Sequence, residues 1–325
     1  MGKIDTEAKE YLSNAERFSD LFNFWIYNGE RVINPKKLQE LDTTALAVVY
    51  GNKFKKHVQK YRDLLRLYTA MEDDRAVYLV FGLEIESKIH YAMPVRNMLY
   101  DALSYAHQVN TLANKNKQAG NTKGSNEFLS GMKREDRLHP VVTLVVNISG
   151  HPWDGAASIH DLLSVEDKRI LKFVPDYWIN LLSPDMLQDD DFDKFHTGVG
   201  AALQFIKHQH DDNMDWILNQ KRLERVDRAT AEFIQTATGT NFAIEEDEEV
   251  IDVCRAWKNS MDQAKSEGLL AGREEGIRAG RVEGQDKERL SSIRNVMMNL
   301  GVSVHRAMEI IGIPIDEQEK YISMI

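Results

Sequence analysis

Apolar positions recur at helical spacing over residues 5–28, where Tyr11, Leu12, Ala15, Phe18, Leu21, Phe22 and Trp25 form one stripe. The pattern predicts one amphipathic helix, closed by Asn28-Gly29. Pro35 opens a short helical piece, and residues 45–50 are expected to be extended. From His57 the period shortens: HVQKYRDLLRLY and AVYLVFGLEIESK predict the two arms of a long hairpin about the charged tip Glu72-Asp73-Asp74. Val77 to Leu83 is continuously apolar, as in a central strand covered on both faces. YAMPVRNMLYDALSYAHQV then predicts a helix, with Pro94 suited to its first turn. Residues 110–127, NTLANKNKQAGNTKGSNE, are rich in Gly, Asn and Lys and predict a mobile loop. Further strands are expected near 139–149 (HPVVTLVVNIS) and 176–183 (DYWINLLS), with Trp153-Asp154-Gly155 as a turn between them. Helices are expected from about Phe192 to His208 and over 224–238. Strands alternating with helices indicate an α/β or mixed α+β sandwich.

After the acidic run EEDEE (245–249) the pattern changes, and a domain boundary is placed near residue 250. Residues 1–250 form one domain, and 251–325 a Gly-rich helical tail ending in a small helical unit. Gly268, Gly272, Gly276, Gly280 and Gly284 recur at intervals of four. Each costs a helix about 1 kcal/mol relative to Ala, a loss that close approach of a second copy would offset. Self-association into a homo-oligomer through this helix is therefore expected; the alternative is a charged, semi-flexible linker. Ser303 is a plausible N-cap and Gly312 a stop for the closing helical unit.

Strand alternation directs attention to the hairpin. On the first arm Tyr61, Asp63, Leu65 and Leu67 share one face, expected to be the apolar one, while Lys60, Arg62 and Arg66 share the other. A turn between Asp73 and Asp74 sets residue i opposite residue 147 − i, so Asp63 faces Glu84. Directly opposed residues have Cβ atoms roughly 4.5–5.5 Å apart, and two carboxylates that close repel. A divalent cation is the usual remedy: Mg²⁺ takes one or two protein carboxylates and keeps its other positions for water and substrate phosphate. Glu84, Glu86 and Lys88, two residues apart, are expected on one face, where the lysine would orient water or stabilise phosphate charge. On pattern alone, exposed charges at a strand end are the better reading of these residues.

The formal net charge of −10 argues against a protein that coats nucleic acid, yet Lys53, Lys55, Lys56, Lys60, Arg62 and Arg66 cluster against Asp63 alone. Lys115, Lys117 and Lys123 would extend this basic surface, and a solvated charged edge is its other reading. His208-x-His210-Asp211-Asp212 lacks a second ligand group and is read as a solvated helix end. There is no phosphate-binding loop, Rossmann fingerprint or G-x-S-x-G element. Hydrophobic residues at 42% and charged residues at 28% are ordinary for a globular chain, and no apolar run reaches the roughly 20 residues a membrane span needs. The opening MGKIDTEAKEYL lacks the pattern of a signal peptide, and the single Cys254 allows no internal disulfide. A cytoplasmic location is expected, with Cys254 as a packing residue.

The D…ExE hairpin followed by an Arg/Tyr-bearing helix resembles the PD-(D/E)XK nuclease superfamily. VQKYRDLLR, HYAMPVRNMLYDALSYAHQV, RLHPVVTLVV, WDG, ILKFVPDYWINLLSP, DFDKF, REEGIRAGRVEG and AMEIIGIP are together similar to the recombination-promoting nuclease (Rpn, YhgA-like) family of transposase-related proteins, over nearly the whole chain. The resemblance implies a restriction-endonuclease-like αβα sandwich with a mixed sheet. It also implies Mg²⁺- or Mn²⁺-dependent cleavage of double-stranded DNA and a role in recombination. Asp63 takes the place of the hairpin aspartate and Glu84 that of the E-x-K or E-x-Q glutamate, the two together holding the metal. Glu86 stands where lysine or glutamine is expected, which leaves three alternatives: Lys88 substitutes, Glu86 is a further ligand, or activity is lost. Arg96 and Tyr100, one helical turn apart, correspond to elements near the DNA backbone, or else to helix packing. Asp20 is a weaker candidate acid. Nothing in the sequence reads bases, so a weak sequence preference is expected. Beside the endonuclease, two other functions are carried forward: a catalytically weakened relative that binds DNA or protein, and an assembly protein dominated by its C-terminal helix.

Overall fold

A computed structural model describes residues 3–41, 63–72, 75–120, 122–165, 167–211, 214–245 and 248–325. The chain is mixed α/β and divides into two compact units, Met1–Lys258 and Asn259–Ile325. No helix among the described residues is long and apolar enough to cross a membrane.

The first apolar stripe yields two helices rather than one, α1 (Lys3–Ser13) and α2 (Ala15–Tyr27). Asn14 causes the break: its side chain accepts from the backbone N–H groups of Glu16 and Arg17, capping α2 where a continuous helix would need those donors turned back to α1. Asn28 ends α2 with φ 51°, followed by Gly29 at φ 92°, whose N–H reaches the Asn23 carbonyl. A Cβ on Gly29 would meet the Lys194 carbonyl oxygen at 2.7 Å, so this stop needs glycine twice over. Pro35 opens a 3-10 turn, Pro35–Lys37, as expected.

A five-stranded sheet follows, in the order β1 (Leu38–Glu40), β2 (Leu64–Glu72), β3 (Arg75–Glu86), β4 (Val141–Asn147), β5 (Asn180–Leu182). β1, β2 and β3 pair antiparallel; β3, β4 and β5 pair parallel. The hairpin ladder runs from Leu64↔Leu83 to Glu72↔Arg75, so residue i does face 147 − i. Residues 45–50, the tip 73–74 and the arm before Asp63 lie outside the described residues.

The crossover from β3 to β4 is α3 (Met93–Gln118), with Pro94 in its first turn, followed by α4 (Gly124–Ser130). The loop expected over 110–127 is thus largely helical. Asn116 explains part of this: its amide donates to the Gly131 carbonyl at 3.0 Å and to Asp136 at 2.8 Å, so a residue that propensity assigns to a loop is paid back in hydrogen bonds. Trp153-Asp154-Gly155 lies outside helix and strand, and α5 (Lys168–Leu171) precedes β5. The helix expected from Phe192 begins instead as a 3-10 segment, Asp189–Lys194, and continues as α6 (Val199–His208). β6 (Val226–Asp227) leads into α7 (Arg228–Thr238), whose N-cap is Asp227, and pairs with β7 (Val250–Ile251).

The two faces of the sheet differ. Leu64, Phe81, Leu83, Ile85, Leu144 and Val146 join residues of α1, α2, α6 and α7 in the main core. The other face is covered by α3 and is thinner: Met93, Val145 and Ile179 form a small buried cluster, and Tyr100 and Leu103 of α3 are also buried. It is held largely by polar contacts: Asp101 accepts from both Thr143 and Tyr177 at 2.6 Å. The apolar side of the hairpin is therefore that of Leu64 and Arg66, not that of Asp63. Arg66 escaped the sequence pattern because its guanidinium donates to the Ser13 carbonyl and lies 5.1 Å from the Phe18 ring centroid, keeping the whole residue 8% exposed.

The second unit is built from most of α8 (Val253–Leu300), with α9 (Val304–Ile310) and α10 (Ile315–Ile322). Ile293, Ala307, Met308, Ile313 and Tyr321 form a separate small core. Ser303 caps α9 through the Arg306 N–H, and Gly312 follows at φ 73°. The five spaced glycines all lie within α8, and nothing stands within 4 Å of a Cβ built on any of them. Cys254, near the start of α8, is buried with its thiol against the Ile217 carbonyl, the packing role expected of it.

Candidate active site

The end of the β2–β3 ladder gathers the acids. Glu84 and Glu86 alternate away from the main core onto the α3 face, where one arginine meets both. Arg96 Nη2 lies 2.9 Å from Glu84 Oε2, and its Nη1 lies 2.8 Å from Glu86 Oε1. Its Nε donates to the Tyr100 hydroxyl, one helical turn on, at 3.3 Å. Glu84 is fully buried. A carboxylate so placed is costly unless paired, and the guanidinium fork suits two acceptors at once. The protein's own remedy for adjacent carboxylates is thus Arg96.

Asp63 stands just before β2. With Leu64 on the core face, alternation turns Asp63 to the α3 face with Glu84. Its Oδ2 accepts from the Ile85 backbone N–H at 2.9 Å, taking a donor that the ladder leaves open where β2 starts. Its Oδ1 has no hydrogen-bond partner among the described residues. Burial pushes the Asp63 carboxyl above its ordinary range, against the pull of the Ile85 N–H, Arg96 and Lys9. Glu86 is pushed to about 7, first by burial and then by the charges of Asp63 and Asp5, with Arg96 opposing. Burial opposes the Arg96 cation too, but Glu84, Tyr100 and Glu86 outweigh it and hold the guanidinium above its usual range.

Two members of the cluster come from α1, which packs against β3. Asp5 accepts a hydrogen bond from Ser87, and Lys9, one turn further along α1, acts electrostatically on Asp63. Sequence reasoning missed both, because the contact spans 82 positions and α1 carries no motif. The i, i+4 spacing of Asp5 and Lys9 is the one local signal that they share a face.

Other expected residues fall elsewhere. β3 ends at Glu86 and the chain bends at Ser87, so alternation does not extend to Lys88, which is exposed. Arg96 and Tyr100 do share a face, but both are turned onto the glutamates, with Tyr100 5% exposed. Lys55, Lys56, Lys60 and Arg62 lie outside the described residues, and Arg66 points inward, so it adds nothing to an exposed basic surface. Lys115 and Lys117 sit in the last turn of α3, and Lys123 precedes α4. Asp20 belongs to the opposite, main-core side: it accepts from the N–H groups of His196 and Thr197 and from the Thr197 hydroxyl, a fully used structural carboxylate. His208 pairs with Asp211 and Asp189, while His210 stacks on His151 with ring centroids 5.0 Å apart.

Among the described residues no three His, Cys, Asp or Glu side chains are gathered closely enough to hold a metal ion. Mg²⁺ commonly uses only one or two carboxylates. The donors suit a hard cation, being carboxylate oxygens. No family model, curated protein or solved structure matches the chain.

Proposed function

We propose that this chain is a divalent-metal-dependent DNA endonuclease with a restriction-endonuclease-like αβα core, using Mg²⁺ or Mn²⁺ and acting on double-stranded DNA with weak sequence preference. The observation that carries the reading is the meeting of Asp63, Glu84 and Glu86 at one end of the hairpin ladder, around Arg96. The resemblance of its sequence segments to the recombination-promoting nucleases supports it and suggests a role in recombination. Asp63 and Glu84 would hold the ion, which would polarise the phosphodiester and acidify the attacking water. Glu86, ionising at about 7, can take a proton from water near neutral pH. Arg96 balances the two glutamates, and Tyr100 holds its Nε edge in place. Phosphate contacts are assigned to Lys55, Lys56, Lys60 and Arg62, with Lys88 beside the cluster. The helix carrying the five glycines is assigned to self-association, with a second copy as partner.

Plasmid cleavage with and without Mg²⁺, by the wild type and by Asp63→Ala, tests the reading. Metal-dependent nicking by the wild type alone is expected, and equal nicking by both proteins sinks it. The Arg96 bridge favours a second reading: with Glu84 and Glu86 already balanced, the chain would bind DNA or protein without turnover. That reading requires DNA binding by wild type and Asp63→Ala alike, and no metal-dependent cleavage by either.

A further inference from the structure

On the main-core side of the sheet, away from the acidic cluster, a cavity of about 550 Å³ opens where three helices begin. Asn14 and Arg17 reach it from the start of α2, Thr197 and Gly198 from the start of α6, and Asp227 from the cap of α7. Arg222 and Arg225 line it from the segment leading into β6.

The three guanidinium groups are held unequally. Arg17 is fixed: its Nη2 meets Asp227 at 2.7 Å, and its carbon lies 4.2 Å from the Tyr11 ring centroid. Arg222 pairs through Nη2 with Asp193, but its Nη1 is buried with no hydrogen-bond partner among the described residues. Arg225 is exposed and has no partner among the described residues. The acids on the wall are largely committed. Asp227 accepts from the Thr230 N–H and hydroxyl as well as from Arg17, and Asp193 serves Arg222. Glu16 is the third acid, in the first turn of α2. Burial holds Arg222 below the ordinary guanidinium range, with the charge of Asp189 opposing. A buried donor left unmade costs free energy that an anion's oxygen would recover. The start of α6 borders the cavity with its first N–H, that of Val199, already bonded to the Thr197 hydroxyl at 3.3 Å.

We propose that this cavity is a binding site for a small phosphorylated molecule, its phosphate oxygens held by Arg222 Nη1 and Arg225 against the wall fixed by Arg17. The volume is that of ordinary small-ligand sites, and a nucleotide-sized phosphate ester fits within it. No residue of the acidic cluster lines the cavity, so the ligand is an effector rather than the cleaved strand.

Isothermal titration of the full chain with pyrophosphate and with adenosine diphosphate, in low salt with a chelator present, tests this. The chelator removes metal-mediated binding at the acids, so the outcome is independent of cleavage. Binding by the wild type and by Asp63→Ala, weakened at least about tenfold in Arg225→Ala and Arg222→Gln, is expected. Arg225 is exposed, so its variant keeps the fold even if Arg222→Gln does not. Absence of binding to both probes, or undiminished binding by Arg225→Ala, overturns the proposal. So does loss of binding in Asp63→Ala, which would place the probe at the acids. A short DNA duplex that binds through Arg225 while neither probe binds would make the surface a strand track and overturn it equally.

Discussion

One arginine between two glutamates decides much of the chemistry at the end of β3. Glu84 is fully buried, so its charge depends on Arg96 for compensation. Removing one partner of a buried pair costs about 3–5 kcal/mol, because the other charge is left stranded. Arg96→Ala is therefore expected to lower stability by an amount in that range, read as a lower urea midpoint with an unchanged slope. Glu86 imposes a pH dependence of definite sign. Its folded value, about 7, lies above the ordinary 4.5, so between those values the folded chain holds a proton that the unfolded chain has released. The resulting stabilisation is fully present below 4.5 and is lost as pH rises through about 7. Asp63, also raised, acts in the same direction. Urea unfolding across this window should show stability falling with pH, and Glu86→Gln should flatten the fall.

Elements were readable from sequence where the local signal and the tertiary outcome agree. The hairpin register followed from its charged tip and the unbroken apolar second arm, and β4, β5, α7 and the Asn28-Gly29 stop fell close to their expected places. Failures arose where one side chain acts against its type. Asn14 splits the first helix, Arg66 hides on the core face under Ser13, and Asn116 sustains helix through a polar run. Of the site, Asp63, Glu84, Glu86 and Arg96 were visible as a hairpin and a following helix. Asp5 and Lys9 were not, because only tertiary packing brings α1 to β3. The capping role of Asn14 is directly testable. Asn14→Ala removes an acceptor shared by two backbone donors and should cost about 1 kcal/mol, seen as a lowered thermal midpoint.

At the scale of the whole molecule, two apolar cores are separate in composition. The larger draws on the sheet and on α1, α2, α6 and α7; the smaller joins the end of α8 to α9 and α10. Their stabilities should be separable. Met308 is fully buried in the smaller core, and Met308→Ala should cost that unit about 2–5 kcal/mol. Calorimetry is expected to show a transition that moves down in this variant while that of Met1–Lys258 stays in place.

The bond from the Ile85 amide to Asp63 ties a strand end to the electrical state of the acid beside it. A proton or cation arriving on Asp63 withdraws electron density from the oxygen this amide leans on, so the amide resonance becomes an internal gauge of occupancy. In a ¹⁵N correlation spectrum the Ile85 peak should shift with pH in step with Asp63 ionisation and should stand still in Asp63→Asn.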